Sequence, residues 1–196
     1  MSAEVRTQIL ETAARLFYGQ GFSQTGINQL IEESGVARRT FYRYFESKEL
    51  LGAAYLELAI ERWLGQLRAS SEACSSALAT VNALFGHLTA FAEETHFRGC
   101  GMLNMTAEFA DAGAELRRDV RRHKQAQRTL IRKLLSRHGV ASTVGDQVHV
   151  LFEGAIAAAA AHIELWPIRT ARQIAQMLVL AADTKPHPKN RQRQPL

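Results

Sequence analysis

Long apolar runs are missing from this sequence. Its most hydrophobic stretch, residues 148–163, is bracketed and broken by His149, Glu153 and His162. It falls short of the roughly 18 apolar residues that span a bilayer. Glu4, Arg6 and Glu11 interrupt the N-terminus, so no secretory leader is expected. Cysteine is scarce: Cys74 and Cys100 are the 2 present, too few for a disulfide framework or a zinc cluster. These absences predict a soluble cytoplasmic protein with no metal, no cofactor and no membrane partner. Strand-like alternation persists nowhere, and internal repeats are missing. Enzyme signatures are missing too: there is no G-x-S-x-G elbow, no H-E-x-x-H and no Gly-rich phosphate loop. An enzyme would have only the scattered His87, His96 and His123 to work with, so no catalytic residues are assigned.

What is present is helical. The 196 residues are 46% hydrophobic, enough for a sizeable core, and the net charge of +5 leans toward a polyanionic partner. Apolar residues recur at helical spacing through about nine segments, so the expected fold is all-α. A first helix over residues 2–19 buries Val5, Ile9, Ala13, Leu16 and Phe17 and stops at Gly19-Gln20-Gly21. Thr25 is placed to cap a short second helix carrying Ile27, Leu30 and Ile31. Ser34-Gly35 breaks it, and a third short helix runs over 37–45. Ser47 caps a long fourth helix reaching about residue 68. Longer helices follow: a fifth with Val81, Leu84, Phe85, Leu88 and Phe91; a short one over 102–111; a basic one over 114–138; an Ala-rich one over 143–165; and a last one from Pro167 to about residue 183. Residues 185–196 are basic, Pro-bearing and almost free of apolar side chains, so they are expected to be a disordered tail. The chain divides into an N-terminal unit of three helices, 1–47, and a larger helical unit, 48–184.

The stretch "GVARRTFYRYFESKELL" (residues 35–51) puts Arg38, Arg39, Arg43 and Lys48 among Phe41, Tyr42, Tyr44 and Phe45. Two short helices joined by a glycine-containing turn, behind a supporting helix, make a helix-turn-helix. At about 100° per residue, Phe41 and Phe45 share one face of the third helix and can pack on the first two. Arg39 and Arg43 fall on the opposite face, with Arg38 and Tyr42 beside them. Like charges one turn apart cost a few tenths of a kcal/mol. Counterion release from neutralised phosphates more than offsets that, and arginine also forks onto guanine edges. The alternative is a solvated basic face, since residues 1–48 carry six Arg or Lys against five Glu.

Ala13, Leu16-Phe17, Gly21-Phe22, Thr25, Gly35-Val36, Thr40-Phe41-Tyr42, Phe45 and Ser47-Lys48-Glu49 together resemble the N-terminal domain of the TetR family of transcriptional regulators. The resemblance covers about residues 5–55. It implies a homodimer with three N-terminal helices on double-stranded operator DNA and a helical domain behind that binds a small-molecule effector. It also implies phosphate contacts from Thr25, Thr40, Tyr42, Tyr44 and Lys48, with Asn28, Arg38, Arg39 and Arg43 in reach of base edges. Two positions depart from the family pattern. Ile31 replaces a small residue at a close helix approach, and Arg39 replaces a small residue near the start of the recognition helix.

Beyond residue 55 the residues must be read directly. In the basic helix Leu116, Val120, Ile131 and Leu134 form an apolar stripe, with His123 and Gln127 inside it and Arg118, Arg122, Gln125 and Arg132 facing away. Burying an unsatisfied polar group costs about 1–3 kcal/mol. So the pair either bonds internally or faces a ligand cavity. Residues 117–138 carry nine Arg or Lys against one Asp, which reads as a mainly solvated face. Further effector-site candidates are Phe91, Cys100, Met102, Asn104, Met105, Glu108 and Phe109. Cys100, near Arg98 and a helix start, also fits a thiol that senses electrophiles or oxidants; an inert buried residue is the alternative. Gly154, Ala158 and Ala161, with Ile174, Met177 and Leu178 of the last helix, are the dimer-interface candidates. His149 and Glu153, one turn apart, are too few to hold a metal and read as a salt-linked pair.

Overall fold

The computed structural model describes residues 2–108 and 113–183. The tail expected to be disordered, and Phe109, lie outside these residues. Nine α-helices occur among them: α1 (Ser2–Gln20), α2 (Ile27–Ser34), α3 (Arg38–Tyr44), α4 (Lys48–Ser71), α5 (Ala77–Glu94), α6 (Gly101–Glu108), α7 (Gly113–Ser136), α8 (Ser142–His162) and α9 (Trp166–Asp183). The predicted helices thus all form, and their limits move by a few residues.

Local chemistry sets those limits. The Ser47 hydroxyl accepts from the Leu50 amide at 3.2 Å to open α4, and the Ser76 hydroxyl accepts from the Ala79 amide at 3.1 Å to open α5. Gly35, at φ +63, closes α2 in the left-handed conformation and makes the turn into α3. The expected cap by Thr25 is corrected: Gly26 is the N-cap of α2, without a side-chain bond. Thr25 is wholly buried, its hydroxyl donating to the Gly21 carbonyl at 2.6 Å. α8 stops at Ile163, which adopts φ +55, three residues earlier than its apolar pattern suggests.

Two hydrophobic cores result. The first joins Ile9, Ala13, Phe17, Leu30, Phe41 and Phe45 to Leu51, Tyr55 and Leu56 of α4 and to Met102 and Met105 of α6. The second gathers Leu67, Leu84, Phe85, Leu88, Ile131, Leu135, Phe152, Ile156 and Val179 from α4, α5, α7, α8 and α9. Cys100 packs against both cores. α4 therefore runs through the first core and into the second, and the seam between them lies beside it.

Candidate nucleic-acid interface and effector cavity

The third helix divides by face as its periodicity predicts. Phe41 is fully buried and Phe45 nearly so, while Arg38, Arg39, Tyr42 and Arg43 are exposed. Thr40 and Tyr44 are half-buried, and the Arg43 guanidinium lies 5.3 Å from the centre of the Tyr44 ring. Arg38 donates to the Asn28 side-chain oxygen at 2.8 Å, so the two base-edge candidates on α2 and α3 are tied to each other. The interface thus presents a cationic ridge over an apolar base.

Two of the expected phosphate contacts have other work. Thr25 is turned inward, so its side chain does not belong to the surface. Lys48 is half-buried: its ammonium donates to the carbonyls of Phe22 and Thr25 at 3.0 and 3.1 Å and lies 4.3 Å from the centre of the Phe22 ring. It clamps the α1–α2 turn to the start of α4. The charge stays close to the α2 N-terminus, but its first role is to hold the turn.

A cavity of about 110 Å3 opens at the seam between the cores. Phe91, Cys100, Met102, His123 and Gln127 line it, as the sequence suggested, together with Tyr18, Tyr55, Ala59, Trp63, Gly101, Lys124, Phe152, Glu153 and Ile156. Its polar wall is a chain of bonds. The Trp63 indole N–H donates to the Gln127 oxygen at 2.7 Å, the Gln127 amide donates to Glu153 at 2.5 Å, and Lys124 pairs with Glu153 at 2.7 Å. Lys124 also donates to the Cys100 sulfur at 3.5 Å. Both readings of the His123–Gln127 pair therefore hold in part. Gln127 is bonded internally and also lines the cavity. His123 is 2% exposed and its Nδ1 has no hydrogen-bond partner.

Three further candidates lie elsewhere. Met102 and Met105 share the inward face of α6, but Met105 sits in the first core rather than on the cavity. Asn104 is exposed and donates to the Arg98 carbonyl at 2.9 Å. Glu108, one turn on, accepts from the Ser23 amide at 2.7 Å and so reaches the α1–α2 turn instead. The reason is helical: positions 104 and 108 lie one turn apart on an exposed side of α6, turned away from the buried methionines. The expected His149–Glu153 pair is also corrected, because Lys124 and Gln127 occupy that carboxylate and His149 Nδ1 has no hydrogen-bond partner.

The model of the family described as bacterial regulatory proteins, tetR family, matches residues 9–55, which hold the later part of α1, all of α2 and α3, and the first turns of α4. The crystal structure of SCO4454, a TetR-family transcriptional regulator from Streptomyces coelicolor, superposes with a TM-score of 0.81 at 29% identity, covering 92% of this chain and 97% of that one. Residues 9–55 of this chain thus match the TetR family's model, and the whole chain is similar in fold to a TetR-family regulator. The transcriptional repressor NemR of Escherichia coli (strain K12) is 29% identical over 118 residues, 58% of this chain and 58% of that protein. The repressor ComR of the same organism is 28% identical over 137 residues, 67% of this chain and 64% of its own length. These matches span less than two thirds of the relatives' length.

The outer face of α8 and α9 carries exposed apolar side chains. Gly154 and Ala161 are exposed, Ala158 and Leu178 half-buried, and Ile174 and Met177 are 42% and 69% exposed. Val150, Trp166 and Leu180 are exposed as well, at 68%, 48% and 50%. No helix among the described residues is long and apolar enough to cross a membrane.

The sequence reading missed the larger part of the cavity wall. Tyr55, Ala59 and Trp63 recur at i, i+4 on α4, a signal that was available. Lys124 and Glu153 were hidden because each adjoins an inward position and reaches round its helix. The charge on α7 and just beyond it is also more committed than a solvated face: Arg128 forks onto Asp146 at 2.8 and 2.6 Å, and Arg137, past the helix end, reaches Glu72 at 3.1 Å.

Burial, reinforced by the charge of Lys124, lowers the pKa of His123 to about 4, against the opposing pull of Glu153. A histidine that stays neutral when folded but takes a proton when unfolded favours the unfolded chain as pH falls. The stability it withholds is absent above about pH 6.5 and grows as pH drops toward 4, on the order of 2–3 kcal/mol at the acid end. Burial lowers His87 and His149 as well, with the same sign. Urea midpoints measured from pH 7 to 4.5 should therefore fall, and fall less steeply in a His123→Leu variant. Equal slopes would remove His123 as the cause.

Proposed function

We propose that this chain is a homodimeric transcriptional repressor that holds two copies of α3 in successive major grooves of a near-palindromic operator, about 34 Å apart. A small molecule entering the seam cavity releases it. The observation that carries the reading is the exposed Arg38, Arg39 and Arg43 ridge mounted on the buried Phe41 and Phe45. In this reading residues 1–47 bind DNA, and residues 48–184 bind the effector and dimerise. α4 is the connecting lever. Lys48 grips the α1–α2 turn at one end, and Tyr55, Ala59 and Trp63 form cavity wall further along. An effector that favours the conformer with the wrong groove spacing lowers operator affinity, and the coupling is reciprocal.

Selection of random duplex DNA by the purified protein at near-physiological salt tests this directly. A near-palindromic motif is the expected result; salt-sensitive binding without any motif would leave only a polyanion footprint. On the selected site, Arg43→Ala should weaken binding by about 1–3 kcal/mol and relax preference at one base position. Uniform weakening on every sequence would assign Arg43 to phosphate instead.

One observation favours a second reading. The Cys100 sulfur sits in the cavity wall within 3.5 Å of the Lys124 ammonium, an arrangement that suits a thiol-based sensor of electrophiles. Iodoacetamide should then label Cys100 in the native protein and abolish operator binding, and Cys100→Ser should keep binding under the same treatment. An unlabelled native Cys100 leaves the reversible ligand as the trigger.

A further inference from the structure

The cavity has a charge balance and a wall chemistry that narrow what it accepts, and this inference rests on the effector reading above. Its two ionic side chains neutralise each other, Lys124 to Glu153 at 2.7 Å. An anionic guest would have to take Lys124 from Glu153 and leave a carboxylate unpaired. A cationic guest would meet a carboxylate already bonded to Lys124 and Gln127. Either exchange breaks a pair already made and so loses about what it gains. The Trp63 N–H and the Gln127 amide are likewise spent on the same chain of bonds.

One fully buried polar atom of the wall has no hydrogen-bond partner. His123 is 2% exposed, lines the cavity, and has no hydrogen-bond partner for Nδ1. A neutral imidazole carries one N–H and one acceptor nitrogen. A hydroxyl both donates and accepts, and so satisfies either ring tautomer.

The rest of the wall is aromatic. Trp63 and Phe91 meet edge to face at 4.8 Å, Tyr18 meets Phe91 at 6.3 Å, and Phe152 lies 6.2 Å from Trp63. Tyr55 joins them in the lining. Rings disposed in this way favour another ring among them over a saturated chain of equal size. The volume of about 110 Å3 sets the scale of what this wall can surround. An apolar cavity of ~150 Å3 in another protein takes up benzene, so one six-membered ring is the fitting scale.

From these observations we propose that the cavity binds a small uncharged phenol, its ring among Tyr18, Trp63, Phe91 and Phe152 and its hydroxyl on the imidazole of His123. Charged aromatics of the same size are rejected by the Lys124–Glu153 pair. Toluene fits the ring site but leaves His123 unmatched.

Calorimetric titration of the full chain at pH 7.5 with phenol, p-cresol, toluene, cyclohexanol, benzoate and benzylamine tests the assignment. Phenol or p-cresol should bind at least tenfold more tightly than toluene or cyclohexanol, with no heat from benzoate or benzylamine. In His123→Leu the preference for p-cresol over toluene should vanish while toluene still binds. If that variant does not fold, judged by circular dichroism, the ligand series on the unaltered protein decides alone. Toluene equal to p-cresol, a charged ligand binding best, or no binding by either phenol up to several millimolar would each overturn the proposal. Operator release is measured separately on the selected duplex. A phenol that binds without releasing DNA upholds the assignment and fails the effector reading. Release by a different ligand class, with no phenol binding, does the reverse.

Discussion

Phe41→Ala should cost the first core about 3–5 kcal/mol, the usual range for deleting a buried phenyl ring. The ring is fully buried, stands edge-on to Tyr42 at 5.9 Å and shares its core with Phe45 and Leu30. Few other forces hold α3 in place. It has seven residues and no side-chain N-cap, and a helix that short is unstable in water without tertiary packing. Its arginines repel one another, and the Arg38–Asn28 bond on its exposed side is a small offset. Denaturation followed by circular dichroism should show an early transition for this variant, and operator binding should be lost with it. Tyr42→Ala, at a site 39% exposed, serves as the control and should shift the midpoint little. Comparable losses from both variants would mean that α3 is held by something other than its buried face.

The second large effect is expected at Gly154→Arg. A Cβ built on this glycine meets nothing within 4 Å, so the single chain has room for the longer side chain. If α8 and α9 pair with a second copy through the Val150, Gly154, Ala161 and Met177 surface, the same change drives two guanidinium groups into one another in the dimer. Burial of an unpaired charge there should weaken association by at least about a hundredfold, or roughly 3 kcal/mol. Sedimentation should show a monomer of unchanged helicity, and operator affinity should collapse because the two recognition helices are no longer linked. A variant that remains dimeric would move the interface away from α8 and α9.

These expectations differ in how far the sequence alone supports them. The helices and the two-faced α3 were legible because periodicity, serine caps and the Gly35 turn act locally and agree with each other. His123 and Gln127 were legible as candidates because a polar pair within an apolar stripe marks an unusual environment, and Cys100 and Met102 because they open the short α6 beside Arg98. The remainder depends on how helices meet. Asn104 and Glu108 look like pocket residues until α6 is turned, and the methionines then claim its inward face. Trp63 and Glu153 are about 90 residues apart and share the cavity only because α4 and α8 pack around α7. No local pattern encodes that Lys124, on a helix rich in cations, is the one that turns inward to meet Glu153.

The Glu108 carboxylate, bound to the Ser23 amide, gives the two halves of the molecule a shared clock. That amide belongs to a loop that would otherwise exchange its hydrogen with solvent in moments, and it is slowed only while the end of α6 stays docked. Its exchange rate therefore counts how often α6 lets go of the DNA-binding half. A ligand in the cavity beside Met102 should change that rate before any DNA is present. Glu108→Gln should raise it, leaving the amides inside α5 at their former pace.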